Sequence, residues 1–473
     1  MASLPEGLAL ARLGAVGPAV AAGTASRRGT RRRDALLLGF AVFAPLAVVA
    51  GYDVSGDNGL VRGFRLLVAA IVAWRAGELW RTGRRLGLGH PFGATAALFA
   101  LWLLEPTVRL LAGDLDAALR GARFVLYMAL WCAPLWLAFL AVPDTRALRR
   151  AVARVDLLGL LVAGSVYLAA LLGRFGIAFG DVVGGGDLAR VFGPLGDMVG
   201  YLLLFFLLRE VARRSWGRFA LFLGALVLGR TRGVAIALAV GLAALAWTSL
   251  RAAFRAGRGW ELVQRFAGVL AAASLVAGVL AYSSAGRAYL ERFGSWEVMA
   301  ESGFAGRLRT FDLGIELFRR HPWLGIGPEA FARVVEREDL SWSHEDLGGG
   351  RGREGRLAYA STAQNQVLQI AAESGLVGLV GFLLWAAVAV STARRACELS
   401  EPALRDFLIA VHGFTCAILI GLQSAVYLID KSSIAAFLML LLGLAARAAL
   451  GAEASVRSRG PFGAAFRHAG ARR

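Results

Sequence analysis

The stretch TAQNQVLQIAAESGLVGL, residues 362–379, opens one of the longest apolar runs in the chain, which continues to residue 391. A bilayer core of roughly 30 Å is crossed by a helix of about 20 apolar residues, and this run exceeds that length. It nevertheless begins with three amides in a row, Gln364, Asn365 and Gln366. Polar groups at the start of a membrane helix are costly without polar partners, so the amides predict a functional cavity.

Runs of this kind recur throughout the 473 residues, of which 57% are hydrophobic, and the mean hydropathy is +0.60. Soluble domains rarely reach such values. We therefore predict an all-α polytopic membrane protein with about twelve transmembrane helices. The predicted spans lie at 35–51, 60–79, 91–112, 123–142, 157–173, 197–208, 219–229, 233–249, 266–282, 363–391, 406–428 and 432–449.

The net charge of +19 is distributed in a way that predicts topology. Arginine clusters occupy every second connection between the predicted spans, which is the positive-inside pattern. The pattern places both termini in the cytoplasm and predicts contact with anionic membrane lipid, with no role in binding nucleic acid. A cleaved signal peptide is not expected, because the basic leader is too long. The clusters lie at 27–34, 81–85, 146–154, 209–214, 251–258, 394–395 and 467–473.

This topology divides the chain into five parts. They are a basic cytoplasmic N-terminus (1–34), transmembrane helices 1–9 (35–282), a periplasmic loop domain (283–362), transmembrane helices 10–12 (363–449) and a basic cytoplasmic tail (450–473). The loop domain has about eighty residues, far more than ordinary connections, so we expect it to be functional. A second outer loop, 174–197, is rich in glycine and is expected to line or cover a site.

The periplasmic loop contains a predicted amphipathic helix, GRLRTFDLGIELFRR (306–320), followed by the turn HPWLGIGPEAF (321–331). Within the helix, apolar residues recur at helical spacing and charged residues lie mainly on the other side, as in helices of a membrane interface. The apolar residues are Leu308, Phe311, Ile315 and Phe318, and the charged ones are Arg309, Glu316, Arg319 and Arg320.

Five arginines lie on the outer side, against the positive-inside pattern: Arg190 in the loop 174–197, Arg230 and Arg232 in the turn LGRTRGVAI (228–236), and Arg307 and Arg309. A cation in the first turn of a helix opposes the helix dipole, yet the free N–H groups of that turn attract anions. A phosphate bound between the arginine and these N–H groups would offset the unfavourable interaction with the dipole, since guanidinium binds phosphate bidentately. We predict an anionic site. The alternative is that these arginines reach lipid headgroups or pair with Asp312 and Glu301.

No metal site is predicted. The histidines are scattered, with no two at ligand spacing, and no phosphate-binding or dinucleotide-binding glycine motif occurs. The histidines are His90, His321, His344, His412 and His468. Neutralisation of a phosphate would therefore fall to arginine.

Four stretches resemble, in order, motifs of the O-antigen ligase and polysaccharide polymerase family of bacterial inner-membrane proteins. They are RVFGPLGD (190–197), RTRGVAIAL (230–238), GRLRTFDLGIELFRRHPWLGIGPEAF (306–331) and AQNQVLQIAAESGLVGL (363–379). The second resembles the family's Ser-Arg-Gly turn and places Arg232 on its substrate-binding arginine. The third resembles its Arg…His-Pro-x-x-Gly-x-Gly segment and places Arg307 on its second arginine. The resemblance covers about residues 190–390.

The resemblance implies a GT-C-like helical fold and metal-independent glycosyl transfer at the periplasmic face of the bacterial inner membrane. Such proteins move a glycan from a polyprenyl-diphosphate carrier, undecaprenyl diphosphate, to an acceptor hydroxyl, without a cofactor. The acceptor is a lipid A core sugar in ligases, a growing glycan in polymerases and a protein side chain in some relatives. An inverting displacement at the anomeric carbon releases a diphosphate, whose charge preorganised cations stabilise. A chain-length regulator is a further possible partner of a polymerase.

One departure from the family affects the chemistry. Ligases present a histidine before the asparagine of the fourth motif, whereas this chain has Gln364. Glutamine can orient a hydroxyl but cannot accept its proton, so either His344 or Glu345 is the base or the departure of the leaving group suffices, as in a polymerase. We slightly favour a polymerase. Glu373 lies about 13 Å further along the helix and is assigned to packing or helix pairing.

The predicted catalytic residues are Arg232, Arg307, Gln364 and His344, and the predicted substrate-binding residues are Arg190, Arg230, Arg309 and Asn365. Two other functions remain open. A transporter or flippase of lipid-linked oligosaccharides would have charges and broken helices at the membrane midplane, whereas the charges here gather at one face. A non-catalytic assembly subunit would tolerate replacement of Arg232 and Arg307.

Overall fold

The computed structural model describes residues 91–132, 144–175, 181–183, 190–193, 199–229, 232–255, 305–337, 363, 365–399, 401–421 and 432–459, with single residues between 134 and 142 and between 257 and 282. Apart from one short hairpin, every described element is a helix. The helices are α1 (Pro91–Trp102), α2 (Leu104–Leu111), α3 (Leu115–Trp131), α4 (Thr145–Arg174), α5 (Val199–Arg213), α6 (Trp216–Gly229), α7 (Arg232–Arg255), α8 (Ala305–Arg320), α9 (Phe331–Arg337), α10 (Gln366–Leu399), α11 (Pro402–Gly421) and α12 (Ser432–Arg459).

Four helical segments are long and apolar enough to cross a membrane: Pro91–Leu111, Thr145–Gly173, Gln366–Leu399 and Ile434–Glu453. Each overlaps a predicted span, so the helical membrane class is confirmed. Trp216–Leu228 and Ile236–Arg251 are shorter apolar helices. The predicted spans 35–51 and 60–79 lie outside the described residues, and only single residues of 266–282 are described. The total of about twelve spans stays a prediction.

The core is built by α5, α7, α10, α11 and α12, with α1 packed on α10. Phe205 of α5 lies at the centre of this core. It makes edge-on contacts with Phe407 and Phe414 of α11 and with Phe437 of α12, with ring centroids 5.5–5.8 Å apart. Such aromatic pairs add to the free energy that burial alone provides. Helices α7 and α11 approach closely because Gly413 lies against the carbonyl oxygen of Gly241, leaving little room for a side chain.

The helix directions define two ends of the bundle. On α7 and α11, Thr248 contacts His412 while Gly241 lies near Ala417, so the two helices are antiparallel. On α1 and α10, Trp385 donates to Thr95 at 3.0 Å while Trp102 lies near Gly378, so these are antiparallel too. We call the end at which α8, α9 and residues 321–330 lie the loop end. There α1–α2 end, α7 begins and α10 begins.

A buried ion cluster lies towards the opposite end of the bundle. Asp156 of α4 pairs with both Arg209 and Arg213 of α5, and the Arg209 guanidinium also lies 4.9 Å from the ring centre of Phe407. Arg209 is only 2% exposed. The basic cluster 209–214 predicts topology, and its member Arg209 also serves helix packing, because the tertiary structure brings Asp156 to it.

Helix α8 confirms the predicted amphipathic helix 306–320, but its buried face is different. Leu313 and Leu317 are buried, whereas Phe311, Ile315 and Phe318 are only half-buried. The buried face packs on α10, where Gly314 lies against Ala363. The charged side chains Glu316, Arg319 and Arg320 are exposed, as their spacing predicted, and Asp312 is exposed too.

The predicted glycine-rich loop 174–197 contains a small antiparallel hairpin of β1 (Asp181–Val183) and β2 (Arg190–Gly193). Arg190 is paired with Val183 in its register. The hairpin packs on α4 and α6, which corrects the expectation of an all-helical chain at this one place.

Candidate functional site

The break in α10 organises the loop end. Gly375 has φ 63°, a left-handed conformation that interrupts the helix. The remaining segment, 376–399, is about 36 Å long and can cross a bilayer on its own. The break therefore separates a first section of α10, buried among protein, from the section that spans the membrane.

The segment HPWLGIG (321–327) docks onto this break through backbone hydrogen bonds in both directions. The amides of Ile326 and Gly327 donate to the carbonyls of Ala372 and Glu373, at 2.9 and 3.0 Å. In return, the amides of Leu376 and Val377 donate to Pro322 and Trp323, at 2.7 and 3.3 Å. A broken helix leaves orphan backbone groups that are costly in an apolar environment, and this segment satisfies four of them.

Two glycines make the docking possible. Gly325 has φ 73° and lies against the backbone of Glu373 and Ser374, while Gly375 lies against the backbone of Trp323 and Leu324. A Cβ atom at either position would overlap the opposing chain. The glycines of the two motifs are thus required because the two backbones touch.

The polar side chains of early α10 form one internal chain of hydrogen bonds. The Ala363 amide donates to Gln369 Oε1 at 2.6 Å, and Gln369 Nε2 donates to Glu373 Oε1 at 2.7 Å. The Phe331 amide, at the start of α9, donates to the same Glu373 oxygen at 3.4 Å. Glu373 is 3% exposed. The predicted packing role of Glu373 is confirmed, since its carboxylate joins α10 to α9.

Asn365 serves as the N-cap of α10. Its side-chain oxygen accepts from the Leu368 amide at 3.0 Å, and its carbonyl accepts from the Gln369 amide at 2.8 Å. Asparagine is among the preferred N-cap residues because it satisfies an otherwise orphan N–H. Gln366 is fully buried, and its amide borders a small cavity of about 40 Å³ shared with Trp102 and Trp385. Much of the polar character of this stretch is therefore used inside the protein.

In the described part of the chain, the elements that carry four of the predicted arginines lie at the loop end. Arg232 is the first residue of α7, and Arg190 lies in β2, which packs on α6 directly before α7. Helix α8 runs alongside early α10 in the same direction, since Gly314 lies against Ala363 and Gly325 against Glu373. Arg307 precedes Gly314 by about 10 Å of helix, so the first turn of α8, with Arg309, extends past the start of α10.

Three predicted site residues, Arg230, Gln364 and His344, lie outside the described residues, as does Glu345. Their placement in the site stays a prediction. Within the part of the chain that the structure describes, no group of three or more His, Cys, Asp or Glu side chains is placed to hold a metal ion.

A cleft of about 330 Å³ at the loop end was not predicted. It lies between α2, the start of α3, and residues 321–337, and four arginines line it together with two carboxylates and His321. No local pattern reveals the cleft, because Arg109 of α2 and Arg120 of α3 are far in sequence from Arg333 and Arg337. An available signal was the placement of Arg109 and Arg120 on the predicted outer side.

The fold and this end of the bundle define a helical membrane protein with a loop-covered, arginine-bearing face. A family model described as O-antigen ligase matches residues 218–383. This match confirms the resemblance drawn from the motifs and covers about a third of the chain. The match includes every predicted site residue except Arg190. No curated protein matches the chain.

Proposed function

We propose that this protein is a membrane glycosyltransferase that moves a glycan from a polyprenyl-diphosphate carrier to an acceptor hydroxyl at the loop end. We further propose that the loop end faces the periplasm, that both termini are cytoplasmic and that the protein lies in the bacterial inner membrane. The carrier would be undecaprenyl diphosphate, and no metal or cofactor is required.

One observation carries the proposal. The segment that the O-antigen ligase model matches contains the first residue of α7, the first turns of α8 and the cap of α10, and all three helix starts lie at the same end of the bundle. Arg232 and Arg307 lie at two of these starts. Free N–H groups and guanidinium groups in the same region suit the binding of a diphosphate.

The reaction assigns each group a role. The acceptor oxygen forms a bond to the anomeric carbon, the bond from that carbon to the diphosphate oxygen breaks, and the diphosphate leaves with the bonding electrons. Arg232 and Arg307 stabilise the negative charge that develops on the leaving oxygen, with Arg190, Arg230 and Arg309 holding the remaining phosphate oxygens. The hydroxyl proton goes to His344 or to solvent, since Gln364 can orient the hydroxyl but not deprotonate it.

We propose polymerisation as the reaction, with a growing glycan as the acceptor and a chain-length regulator as a possible partner. Gln364 in place of the ligase histidine supports this choice. Ligation to a lipid A core sugar is the other outcome that the same experiment can reveal.

The test is the glycan profile, on an SDS gel, of a deletion strain complemented with the wild-type gene, with Arg307→Ala or with Arg319→Ala. Arg319 is a matched control, because it is an exposed arginine at the other end of the same helix. We expect wild type and Arg319→Ala to restore polymer and Arg307→Ala to fail, with equal amounts of protein in the membrane.

The uncomplemented strain distinguishes the two reactions. A single repeat unit in place of a ladder indicates a polymerase. Full-length polymer that stays on its lipid carrier indicates a ligase and directs the search for a base to His344. Normal polymer from Arg307→Ala would contradict the proposed anionic site.

A further inference from the structure

The cleft of about 330 Å³ at the loop end carries more positive charge than its carboxylates balance. Arg109 Nε donates to Glu105 at 2.9 Å, one helical turn away. Asp114, the second carboxylate, accepts from the Ala117 amide and caps α3. Within the described residues, no carboxylate pairs with Arg120, which lines the same wall.

The facing wall adds two further arginines. Arg333 donates only to the carbonyl oxygen of Glu329, at 3.2 Å, and Arg337 follows one turn later on α9. Among the residues that the structure describes, neither forms an ion pair. Three guanidinium groups without a carboxylate thus converge on one space from two different elements. All three side chains are exposed, so an anion that enters the cleft meets three guanidinium groups that no carboxylate among the described residues occupies.

Two markers place the cleft at the boundary of the membrane. The spanning segment Pro91–Leu111 ends beside it, and the segment HPWLGIG docks where the spanning part of α10 begins, with Trp323 69% exposed. Tryptophan is enriched at this depth of membrane proteins.

Exposed leucines continue from the rim of the cleft. Leu111, Leu115 and Leu119 are 82%, 55% and 59% exposed, and they flank Asp114 and Arg120 in the sequence. In a protein that crosses a membrane, such side chains contact hydrocarbon. A charged cleft bordered by an apolar surface matches a molecule with an anionic head and a hydrocarbon tail.

We propose that this cleft binds the phosphate headgroup of a membrane lipid, with Arg120, Arg333 and Arg337 on the phosphate and the lipid chain along the leucines of α2 and α3. The cleft has room for a phosphate headgroup, because its volume of about 330 Å³ equals that of roughly ten water molecules at about 30 Å³ each. If the lipid is a phospholipid, the site is independent of the proposed transferase function. If it is a polyprenyl diphosphate, the inference rests on that function. The lipid is either a phospholipid of the bilayer or a polyprenyl diphosphate, and both present the same phosphate chemistry.

The test is native mass spectrometry of the full-length protein released from detergent. The probes are phosphatidylglycerol, undecaprenyl diphosphate and, as a zwitterionic reference, phosphatidylcholine. The variant is Arg120→Gln/Arg337→Gln. Its matched control is Arg319→Gln/Arg320→Gln, which removes the same charge at the same end but outside the cleft.

We expect the wild type and the control to retain one anionic lipid that the cleft variant binds about 25-fold more weakly, or roughly fivefold for each arginine, equivalent to about 1 kcal/mol each. Arg120→Lys/Arg337→Lys keeps the charge and the fold and is expected to lie between the two, because the bidentate fork is lost. Loss of phosphatidylglycerol from the cleft variant assigns the site to a phospholipid. Loss of undecaprenyl diphosphate alone, measured in an Arg232→Ala/Arg307→Ala background that lacks the proposed active-site arginines, assigns it to the carrier.

Two results would overturn the proposal. Equal loss of lipid from the cleft variant and the control would show that general surface charge, and not the cleft, binds the lipid. Unchanged retention of phosphatidylglycerol by the cleft variant would show that its arginines do not bind the lipid, and equal retention of phosphatidylcholine by the wild type would show that the cleft does not select an anionic headgroup. If the glutamine variant fails to fold, the lysine variant decides between these results.

Discussion

The amide of Gly327 donates to the carbonyl of Glu373 at 3.0 Å, and the Glu373 side chain in turn accepts from the amide of Phe331. One residue of α10 therefore holds both the end of the HPWLGIG segment and the start of α9. The two motifs that resemble the O-antigen ligase family, about fifty residues apart in the chain, form a single structural unit. A change in either motif is expected to act on both.

The first prediction concerns the break in α10. Gly375→Ala is expected to destabilise the protein by about 1–3 kcal/mol through its backbone alone, because φ 63° with ψ −162° is a conformation essentially confined to glycine, and further because the new Cβ overlaps the backbone of Trp323. The measurement is the apparent melting temperature in detergent, followed by size-exclusion chromatography. The control is Gly164→Ala in α4, where a Cβ meets no atom within 4 Å. An equally stable Gly375→Ala would contradict the docking described above.

The second prediction separates packing from catalysis at Glu373. Glu373→Ala leaves Gln369 Nε2 and the Phe331 amide buried without an acceptor, at about 1–3 kcal/mol for each. Glu373→Gln keeps an oxygen in the position of Oε1 and is expected to be nearly as stable as wild type and to retain glycan transfer. Melting temperature and glycan profile are measured together. A stable but inactive Glu373→Gln would instead place the carboxylate in the chemistry.

The third prediction concerns the buried ion cluster. Asp156→Ala leaves Arg209, which is 2% exposed, without its carboxylate, and is expected to cost about 3–5 kcal/mol. The control variant removes an ion pair that is exposed to solvent. Glu401→Ala breaks the pair of Glu401 with Arg149, whose side chains are more than half exposed, and is expected to cost no more than about 1 kcal/mol. Similar melting temperatures for the two variants would refute this distinction.

The fourth prediction concerns the arginines of the proposed active site. Arg232→Ala and Arg307→Ala are each expected to lower glycan transfer by about 100- to 1,000-fold, the usual effect of losing one preorganised donor. Arg→Lys at either position is expected to rescue only in part, because ammonium lacks the bidentate fork. Initial rates with a lipid-linked donor give the measurement. Full rescue by lysine would indicate a simple point charge.

The sequence by itself determined the class of the protein, the spans at 91–112 and 157–173, the amphipathic helix 306–320 and the resemblance to the O-antigen ligase family. The spans and the helix depend on local periodicity and length, because a bilayer imposes one apolar length on every helix that crosses it. The order of the motifs within 230–379 was sufficient for the resemblance, since each motif is contiguous in the chain.

Only the tertiary structure decided which residues meet. The glycines Gly325 and Gly375 acquire their role from the contact of two backbones, and the buried face of α8 depends on where Ala363 lies. Likewise, the packing role of Arg209 depends on the tertiary structure, which places Asp156 beside it although the two residues lie 53 positions apart in the chain. The basic cleft joins Arg120 to Arg337 across more than two hundred residues. Contacts between residues so far apart in the chain depend on how the helices pack, and a local sequence pattern does not contain that information.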